Sequence, residues 1–171
     1  FEARPDREDL PRHEIVGGIA IMQDDAPEAA QKILNSRLSL HTVVHAKGEV
    51  IGKYRTRAFT VLAGTPTTRT QRTEHGHRFT VDIAGAYFSP RFSTERQRIL
   101  SQVQARECVL DMFAGVGPFA ITIAARAALV AACDFNPKGI GLMLENIVQN
   151  RTKNVLPILA DAHRLTGIIP W

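Results

Sequence analysis

The sequence has little cysteine and no long apolar run, and each shortage excludes a class of protein. Only Cys108 and Cys133 are present, in apolar segments without a C-x-x-C spacing, which favours a reduced, cytoplasmic setting over a disulfide framework. His75 and His77 lack a third ligand, so we expect no metal site. No apolar run approaches the ~20 residues that span a bilayer, and nothing near the start is typical of a signal peptide. We therefore expect no membrane partner.

The bulk composition bounds the size of the fold. A chain of 171 residues with 44% hydrophobic content can form one ordinary domain or two small ones with a buried core. The chain opens on Phe1 rather than Met, so we expect a fragment or a processed chain.

Positive charge is concentrated in the middle of the chain. The formal net charge is +4, but residues 47–106 hold eleven Lys or Arg against four acids, which gives +7 there and −3 elsewhere. A basic segment between acidic flanks favours a local surface for a polyanion, although a solvated face with an accidental excess of charge would have the same composition.

The first half of the sequence predicts a small α+β domain over residues 13–85, preceded by a linker over residues 1–12. We expect strands at Glu14–Met22, His41–His45, Ala58–Ala63 and Arg78–Ile83. A helix is predicted over Pro27–Arg37, with Asp25 as its cap and with Ala30, Ile33 and Leu34 on one face. The Thr-, Arg- and Gly-rich segment Gly64–Gly76 predicts an exposed loop.

The second half, residues 86–171, alternates helices and strands. A helix is predicted over Phe92–Gln104 with Ser93 or Thr94 as cap. The elements that follow are a strand at Cys108–Asp111, a helix at Pro118–Ala128, a strand at Val130–Asp134, a helix at Pro137–Asn150 with Asn136 as its cap, and a strand at Val155–Leu159. This βαβαβ order predicts a parallel sheet with right-handed crossovers. A full doubly wound domain needs about as many strands again, so we expect an incomplete α/β fold.

A glycine-bearing turn between the first of these strands and its helix is the strongest chemical signal. The strand ends at Asp111, Gly115 and Gly117 follow, and the helix opens near Pro118. Glycines allow a ligand to approach the backbone closely at a helix N-terminus. Asp134 and Asp161 follow the next two strands, at the sheet edge where open α/β folds bind ligands.

Two ligands compete for this turn. The spacing Gly115-x-Gly117-x-x-Ala120 formally satisfies the dinucleotide fingerprint, so NAD must be considered. Asp111 would repel a pyrophosphate but could attract the cationic amino group of S-adenosylmethionine (SAM), with Asp134 placed for a ribose diol. SAM is therefore favoured, and a structural turn without any ligand is the third interpretation.

A second constellation lies just upstream, at Tyr87–Arg96, with two aromatic residues, a Pro turn and an Arg/Glu/Arg set. A carboxylate held between arginines near a methyl donor could accept a proton from a nucleophile. In the alternative interpretation Glu95 only supports its own helix terminus and pairs with Arg91 or Arg96.

These motifs resemble one family. Tyr-Phe-Ser-Pro-Arg-x-x-x-Glu-Arg at 87–96, Asp-x-Phe-Ala-Gly-Val-Gly-Pro-Phe at 111–119 and Asp-x-Asn-Pro at 134–137 are similar to the archaeal and eukaryotic tRNA (guanine-37-N1)-methyltransferases, over about residues 13–165. The resemblance implies a small α+β domain before a class I SAM-dependent methyltransferase domain with a Rossmann-like fold. It also implies a tRNA partner, bound at the anticodon loop.

The resemblance also implies residue roles. Arg55 would face O6 of the target guanine, with Arg57 as the competing candidate, and Glu95 would be the general base. The SAM site would be lined by Tyr87, Arg91, Asp111, Phe113, Gly115, Gly117, Asp134 and Asp161. Arg69, Arg72 and Arg78 are candidates for phosphate contacts.

The sequence departs from the family at its end. The family has an Asn-x-Pro segment after a fourth strand and a C-terminal half-sheet, and this chain ends at Trp171 without them. We therefore expect the 171 residues alone to be inactive. Two other functions stay open: transfer of the aminocarboxypropyl group of SAM in wyosine-base synthesis, and a non-catalytic RNA-binding module.

Overall fold

A computed structural model of the chain describes residues 10–37 and 39–165, apart from the side chains of residues 49–51. Most of the predicted linker over residues 1–12, and Trp171, lie outside the described residues.

The strands are β1 His13–Val16, β2 Ile19–Met22, β3 Thr42–Ile51, β4 Thr56–Gly64, β5 Arg69–Glu74, β6 His77–Asp82, β7 Cys108–Asp111, β8 Leu129–Asp134 and β9 Val155–Leu159. The α-helices are α1 Pro27–Ser36, α2 Ser93–Gln102, α3 Pro118–Ile123 and α4 Pro137–Gln149, with 3₁₀ turns at Pro90–Phe92 and Ala162–Arg164.

The first four strands form one sheet in the order β1-β2-β3-β4. The single strand predicted at Glu14–Met22 is wrong, because the chain reverses at Gly17 and β1 pairs antiparallel with β2. Gly17 has a φ of +57°, and a Cβ there would lie 2.2 Å from the carbonyl oxygen of Gln71. The close approach of another backbone therefore requires glycine at this turn.

Helix α1 connects the parallel strands β2 and β3 and covers one face of the sheet. Its inward positions Ala30 and Ile33 are fully buried, as predicted, and Leu34 packs partly against the same core. The predicted cap is wrong: Ala26 occupies the N-cap position and no side chain caps the helix, which opens instead with Pro27.

The loop predicted at Gly64–Gly76 is wrong, since it contains strand β5, which pairs antiparallel with β6. The inward side chains of β5 are Thr70 and Glu74, both buried despite their polarity, so the strand has no apolar alternation to reveal it. The β5–β6 hairpin packs through Phe79 on β6 and its neighbours against residues of the second half. That core comprises Phe79, Val81, Ala86, Val116, Ile121 and Leu142.

The second half forms a three-stranded parallel sheet in the order β7-β8-β9, which confirms the predicted βαβαβ unit. Val130 and Ala132 of β8 pack beneath α3 and α4 in its main core. Two helix predictions need correction. Helix α3 ends at Ile123 instead of Ala128, and α2 begins after Phe92 without a side-chain cap.

Candidate functional site

The glycine turn joins the end of β7 to the start of α3. Gly115 and Gly117 adopt left-handed φ values of +55° and +85°, which side-chain-bearing residues rarely tolerate. A Cβ on Gly117 would lie 2.7 Å from Cγ of Met143 on α4. The turn is therefore tightly packed from below at Gly117, where both conformation and space require glycine, whereas at Gly115 the conformation alone requires it.

Asp134, at the end of β8, fixes the turn from the side. Its Oδ2 accepts a hydrogen bond from the Gly115 amide at 2.7 Å, and its Oδ1 accepts one from the Asn136 amide at 2.8 Å. Asn136 accepts from the Lys138 amide as the N-cap of α4, as predicted, and its side chain donates to the carbonyl of Gly85. One carboxylate thus orders the turn and the start of the next helix.

Asp111 differs, because one of its oxygens is buried without a partner. Its Oδ1 accepts a hydrogen bond from the Phe113 amide at 3.3 Å, whereas Oδ2 has no partner among the described residues. Burial, opposed by the backbone amides of Phe113 and Ala120 and reinforced by nearby Asp134, raises the pKa of Asp111 to about 6. A buried carboxylate with a free lone pair suits a cationic ligand.

Asn146 on α4 holds the turn in place and is a residue that the sequence analysis missed. It is fully buried, its Oδ1 accepts from the Thr80 amide, and its Nδ2 donates to the carbonyls of Thr80 and Val116. One side chain therefore ties the β5–β6 hairpin, the glycine turn and α4 together. In sequence it looks like an ordinary polar helix residue.

A cavity of about 320 Å³, here called the turn cavity, opens beside the glycine turn. Five of the predicted site residues line it: Arg55, Tyr87, Phe113, Gly115 and Asp134. The other lining residues are Lys53, Tyr54, Ala86, Phe88, Ser89, Phe92, Arg96, Ala114, Pro118, Phe119, Phe135 and Asn136. Aromatic rings on several sides, with one carboxylate, make a surface suited to a flat heterocycle bearing hydroxyl groups.

A second cavity of about 370 Å³, here called the sheet cavity, lies between the first sheet and the segment before α2. It shares Arg55, Tyr87, Phe88 and Phe92, among others, with the turn cavity. Ala86 and Ser89 also line both cavities. The residues that line the sheet cavity alone are Glu14, Val16, Ile21, Gln23, Arg57, Phe59, Ile83 and Arg91. The two cavities are therefore neighbours with a common wall.

Arg55 stands at that common wall. Its backbone has a left-handed φ of +52°, a strained conformation for arginine that is more frequent at functional sites. Its guanidinium lies 5.6 Å from the ring centroid of Tyr87, which favours a cation–π contact. Arg57 lines only the sheet cavity, where its Nε donates to the carbonyl of Gly48.

Four predicted site residues line neither cavity. Asp111 and Gly117 lie at the base of the glycine turn, and Asp161 caps the 3₁₀ turn after β9 through the His163 amide. Glu95 is exposed and accepts two hydrogen bonds from Arg98, at 2.6 and 2.8 Å. The pairing with Arg91 or Arg96 that belonged to the alternative interpretation of Glu95 is therefore wrong, and the Arg98 hydrogen bond lowers the pKa of Glu95.

Arg91 and Arg96 have other partners. The Nε of Arg91 lies 3.5 Å from Glu14 on β1, at an exposed position on the rim of the sheet cavity. Arg96 is buried, donates to Glu74 at 2.6 and 3.0 Å and to the carbonyl of Ser89, and lies between the rings of Phe88 and Phe119. Arg96 thereby fixes the segment that walls both cavities.

The structure also bears on the expected partners. No helix within residues 10–37 and 39–165 is long and apolar enough to cross a membrane. In the same part of the chain, no group of three or more His, Cys, Asp or Glu side chains could hold a metal ion. Both cysteines are free thiols.

Comparison with known sequences gives a consistent result. Residues 70–168 match the family described as the TRM5/TYW2 methyltransferase domain. The chain is 43% identical over 158 residues to tRNA (guanine(37)-N(1))-methyltransferase Trm5b of Pyrococcus abyssi, covering 89% of this chain and 48% of that protein. It is 38% identical to the enzyme of the same name from Methanocaldococcus jannaschii, covering 90% of this chain and 47% of that one. The chain thus spans about half the length of these relatives.

Solved structures agree with the sequences. The complex of aTrm5 with tRNALeu superposes with a TM-score of 0.82 at 38% identity, over 90% of this chain and 49% of that one. Methanocaldococcus jannaschii Trm5 in complex with adenosine gives a TM-score of 0.79 at 35% identity, over 90% and 48%. TYW2 of the same organism in complex with AdoMet is more distant, with a TM-score of 0.64 at 28% identity, over 88% and 57%.

Proposed function

This chain belongs to the TRM5/TYW2 methyltransferase domain family, and from that premise we propose that it supplies the cofactor site and part of the base site of a tRNA (guanine-37-N1)-methyltransferase. The observation that carries the proposal is the buried, unpartnered oxygen of Asp111 beneath the glycine turn. Such an oxygen is costly unless a ligand donates to it.

The turn cavity, together with Asp111 at the base of the glycine turn, fits SAM. Asp111 offers an acceptor for the amino group of the methionine moiety, and Asp134 stands at the strand end where a ribose diol is bound in this type of fold. Tyr87, Phe113 and Gly115 leave room for a flat adenine, and we place Gly117 and Asp161 around the same edge as supporting residues. Arg91 lies on the rim of the sheet cavity, so it must turn away from Glu14 to support this ligand. SAM supplies an activated methyl group on a sulfonium. A dinucleotide fits less well, because its pyrophosphate would meet the Asp111 carboxylate.

Arg55 and Glu95 would act on the target base. Guanine N1 carries a proton and becomes nucleophilic only as that proton leaves, which shifts negative charge onto O6. The guanidinium of Arg55, at the wall between the cavities, can stabilise that charge. For Glu95 to accept the proton, its carboxylate must leave Arg98 and turn towards the cavities, and leaving Arg98 also restores its basicity.

The partner follows from the same premise. Arg55, Arg57 and Arg91 of the +7 segment line the sheet cavity. Further arginines, Arg69, Arg72 and Arg78, lie on the β5–β6 hairpin, where Arg69 pairs with Glu145. Contacts from such side chains to phosphates would favour an RNA partner. The target loop would be the anticodon loop, and the enzyme would work in the cytoplasm. Similarity to TYW2 keeps aminocarboxypropyl transfer as the second candidate, but the higher identity to the methyl-transferring relatives supports methylation.

Calorimetric titration of the chain with SAM, S-adenosylhomocysteine and NAD tests the proposal. We expect heat from both adenosyl ligands and none from NAD, and loss of SAM heat in Asp111→Ala. Binding of NAD that SAM cannot displace would contradict it. Mass analysis of tRNA reacted with the protein from the complete reading frame then separates an added methyl group from the larger aminocarboxypropyl group.

A further inference from the structure

The tip of the β3–β4 hairpin, residues 52–55, reaches from the first sheet to the turn cavity. Ile51 and Thr56 are the last paired residues before it, and the amide of Arg55 donates to the carbonyl of Gly52 at 3.1 Å. A Cβ on Gly52 would meet no atom within 4 Å, so the tip projects into open space at that residue. The position of the tip therefore depends on the side chains of its other three residues.

Tyr54 makes the contact that seats the tip on the second half of the chain. Its ring stacks on the ring of Phe135, with 5.3 Å between the centroids and 29° between the planes. The Nζ of Lys53 lies 4.9 Å from the centroid of the Tyr54 ring, and Arg55 reaches the ring of Tyr87. Within the part of the chain that the structure describes, no hydrogen bond or ion pair engages the three side chains of the tip. Aromatic contacts therefore hold the tip against the second half.

Tyr54 and Phe135 each adjoin a residue with a proposed role. Phe135 follows Asp134, whose carboxylate accepts hydrogen bonds from two backbone amides, so the ring beneath Tyr54 extends from a well-fixed strand end. Tyr54 precedes Arg55, which closes the same tight turn. Adjacent residues of a tight turn move together, because sterically allowed backbone dihedral angles leave them little independent freedom. Seating Tyr54 on Phe135 therefore also places Arg55.

We propose that Tyr54 is a positioning residue, whose stack on Phe135 holds the Arg55 guanidinium in place for O6 of the target guanine. The inference rests on the proposed function, which gives Arg55 its substrate atom. Arg55 is free to meet that atom, because no carboxylate among the described residues pairs with it. A donor that is already in place needs no ordering when the base arrives. Without the stack, the same donor stands on an unseated turn and its contact with O6 is weakened.

The test measures a ratio of RNA affinities with the 171-residue chain, saturated with S-adenosylhomocysteine so that changes in cofactor affinity do not enter. Two anticodon stem-loop RNAs carry either guanine or 2-aminopurine at position 37. The analogue keeps the N2 amino group but lacks O6 and the N1 proton. Both RNAs present the same phosphates, so backbone contacts cancel in the ratio. Arg55→Ala gives the ratio that remains when no guanidinium meets O6.

We expect the wild-type preference for guanine to exceed that of Arg55→Ala by at least about five-fold, the lower end for a bidentate contact with a base edge. Tyr54→Ala and Phe135→Ala should each keep at most about half of the wild-type ratio, since an aromatic pair favours its contact by about two- to ten-fold. Tyr54→Phe retains the ring and should keep the whole ratio. Tyr54→Ala should change nothing further in the Arg55→Ala background, because its effect passes through Arg55.

A wild-type ratio in a Tyr54→Ala protein with wild-type circular dichroism overturns the inference. An equal loss in Tyr54→Phe also overturns it, since the hydroxyl group and not the stack is then responsible. A further fall in the double variant shows that Tyr54 acts on the base independently of Arg55, which overturns it as well. A wild-type ratio no greater than that of Arg55→Ala removes the role proposed for Arg55, and the inference falls with it. Failure of the wild type to bind S-adenosylhomocysteine overturns the proposed cofactor site, on which both depend.

Discussion

The two sides of the candidate site are held by different kinds of contact. On the side of the glycine turn, Asp134 binds two backbone amides at 2.7 and 2.8 Å and Asn146 binds three backbone groups inside the core. On the side of α2 and β1, Glu95 meets Arg98 and Glu14 meets Arg91 in exposed ion pairs. Hydrogen bonds to the backbone in the interior hold their groups rigidly. Exposed ion pairs contribute little to stability, and contacts with water readily replace them.

If the proposed function holds, this difference predicts that the cofactor side is formed before any ligand arrives, and that the base side adjusts when RNA binds. A preformed pocket avoids an ordering cost on binding. Carboxylates that rest on surface arginines can change partner without loss of fold stability. Four predictions test the contrast, from the largest expected effect to the smallest.

The largest effect is expected at Asn146. Replacing it with leucine leaves the amide of Thr80 and the carbonyls of Thr80 and Val116 buried without partners, at about 1–3 kcal/mol each. We expect Asn146→Leu to lower the free energy of unfolding by about 3–5 kcal/mol in urea titrations. Asn35→Leu, on the exposed face of α1, is the matched control and should change it little. A loss below about 1 kcal/mol at Asn146 would show that the turn side is not rigid.

The next effect concerns Asp134 and the cofactor. Asp134→Ala removes the acceptor of the Gly115 amide and the acceptor proposed for the ribose, so we expect SAM affinity to fall by about 100-fold, which is about 2.7 kcal/mol. Calorimetry measures it, with the exposed Asp24→Ala as control. Asp134→Asn keeps one acceptor oxygen and should recover part of the loss. Equal affinity of Asp134→Ala and wild type would remove Asp134 from the site.

Asp111 should make SAM binding depend on pH. Burial raises the pKa of Asp111 to about 6, so the carboxyl is mostly neutral at pH 5 and mostly ionised at pH 7. The cationic ligand prefers the ionised form, and we expect affinity to rise about ten-fold between these values and Asp111→Asn to abolish the rise. The stability of the free protein changes in the opposite sense. A raised pKa means that ionisation disfavours the fold, so wild-type stability falls as pH rises from about 4 to 6.

A flat calorimetric profile for wild-type SAM binding across pH 5 to 7 would contradict this role for Asp111. Unfolding of Asp111→Asn between about pH 4 and 6 provides the independent check. It should lack the decline in stability that the wild type shows, because an amide does not titrate.

The smallest effect on SAM binding and on stability is expected on the side of α2 and β1. Glu95→Gln and Arg98→Ala alter an exposed pair that lines neither cavity. We expect SAM affinity to stay within two-fold and the thermal unfolding midpoint to show no measurable change. Methyl transfer by the protein from the complete reading frame should nevertheless fall strongly in Glu95→Gln if that carboxylate is the base. A large loss of SAM affinity would show that Glu95 belongs to the rigid side, with the glycine turn.

The contrast also explains which parts of the structure the sequence could predict. Strands β7 and β9 were predicted with their observed bounds, because short apolar runs bounded by turn residues are distinctive in a parallel sheet. The Asn136 cap was predicted because Asn-Pro signals a helix start locally. Strand β5 was missed, since its buried side chains Thr70 and Glu74 are polar and are hydrogen-bonded to partners far along the chain, Gly18 and Arg96.

The candidate site divides in the same way. Asp111, Gly115 and Asp134 follow from strand order and glycine spacing, and the structure brings them together at one sheet edge. The partner of Glu95 could not be predicted, because Arg91, Arg96 and Arg98 all lie within four residues of it in the sequence. Glu14 gave no local signal either. Its place at a cavity depends on how the first sheet packs against the segment before α2.

The bridge formed by Asn146 has a consequence for synthesis on the ribosome. The side chain that fixes the carbonyl of Val116 is 30 residues further along the chain, so a nascent polypeptide that has exposed only the glycine turn still lacks its support. Helix α4 must emerge before the turn can take its final shape. Added cofactor should therefore protect stalled nascent chains from proteolysis only after Asn146 has left the exit tunnel.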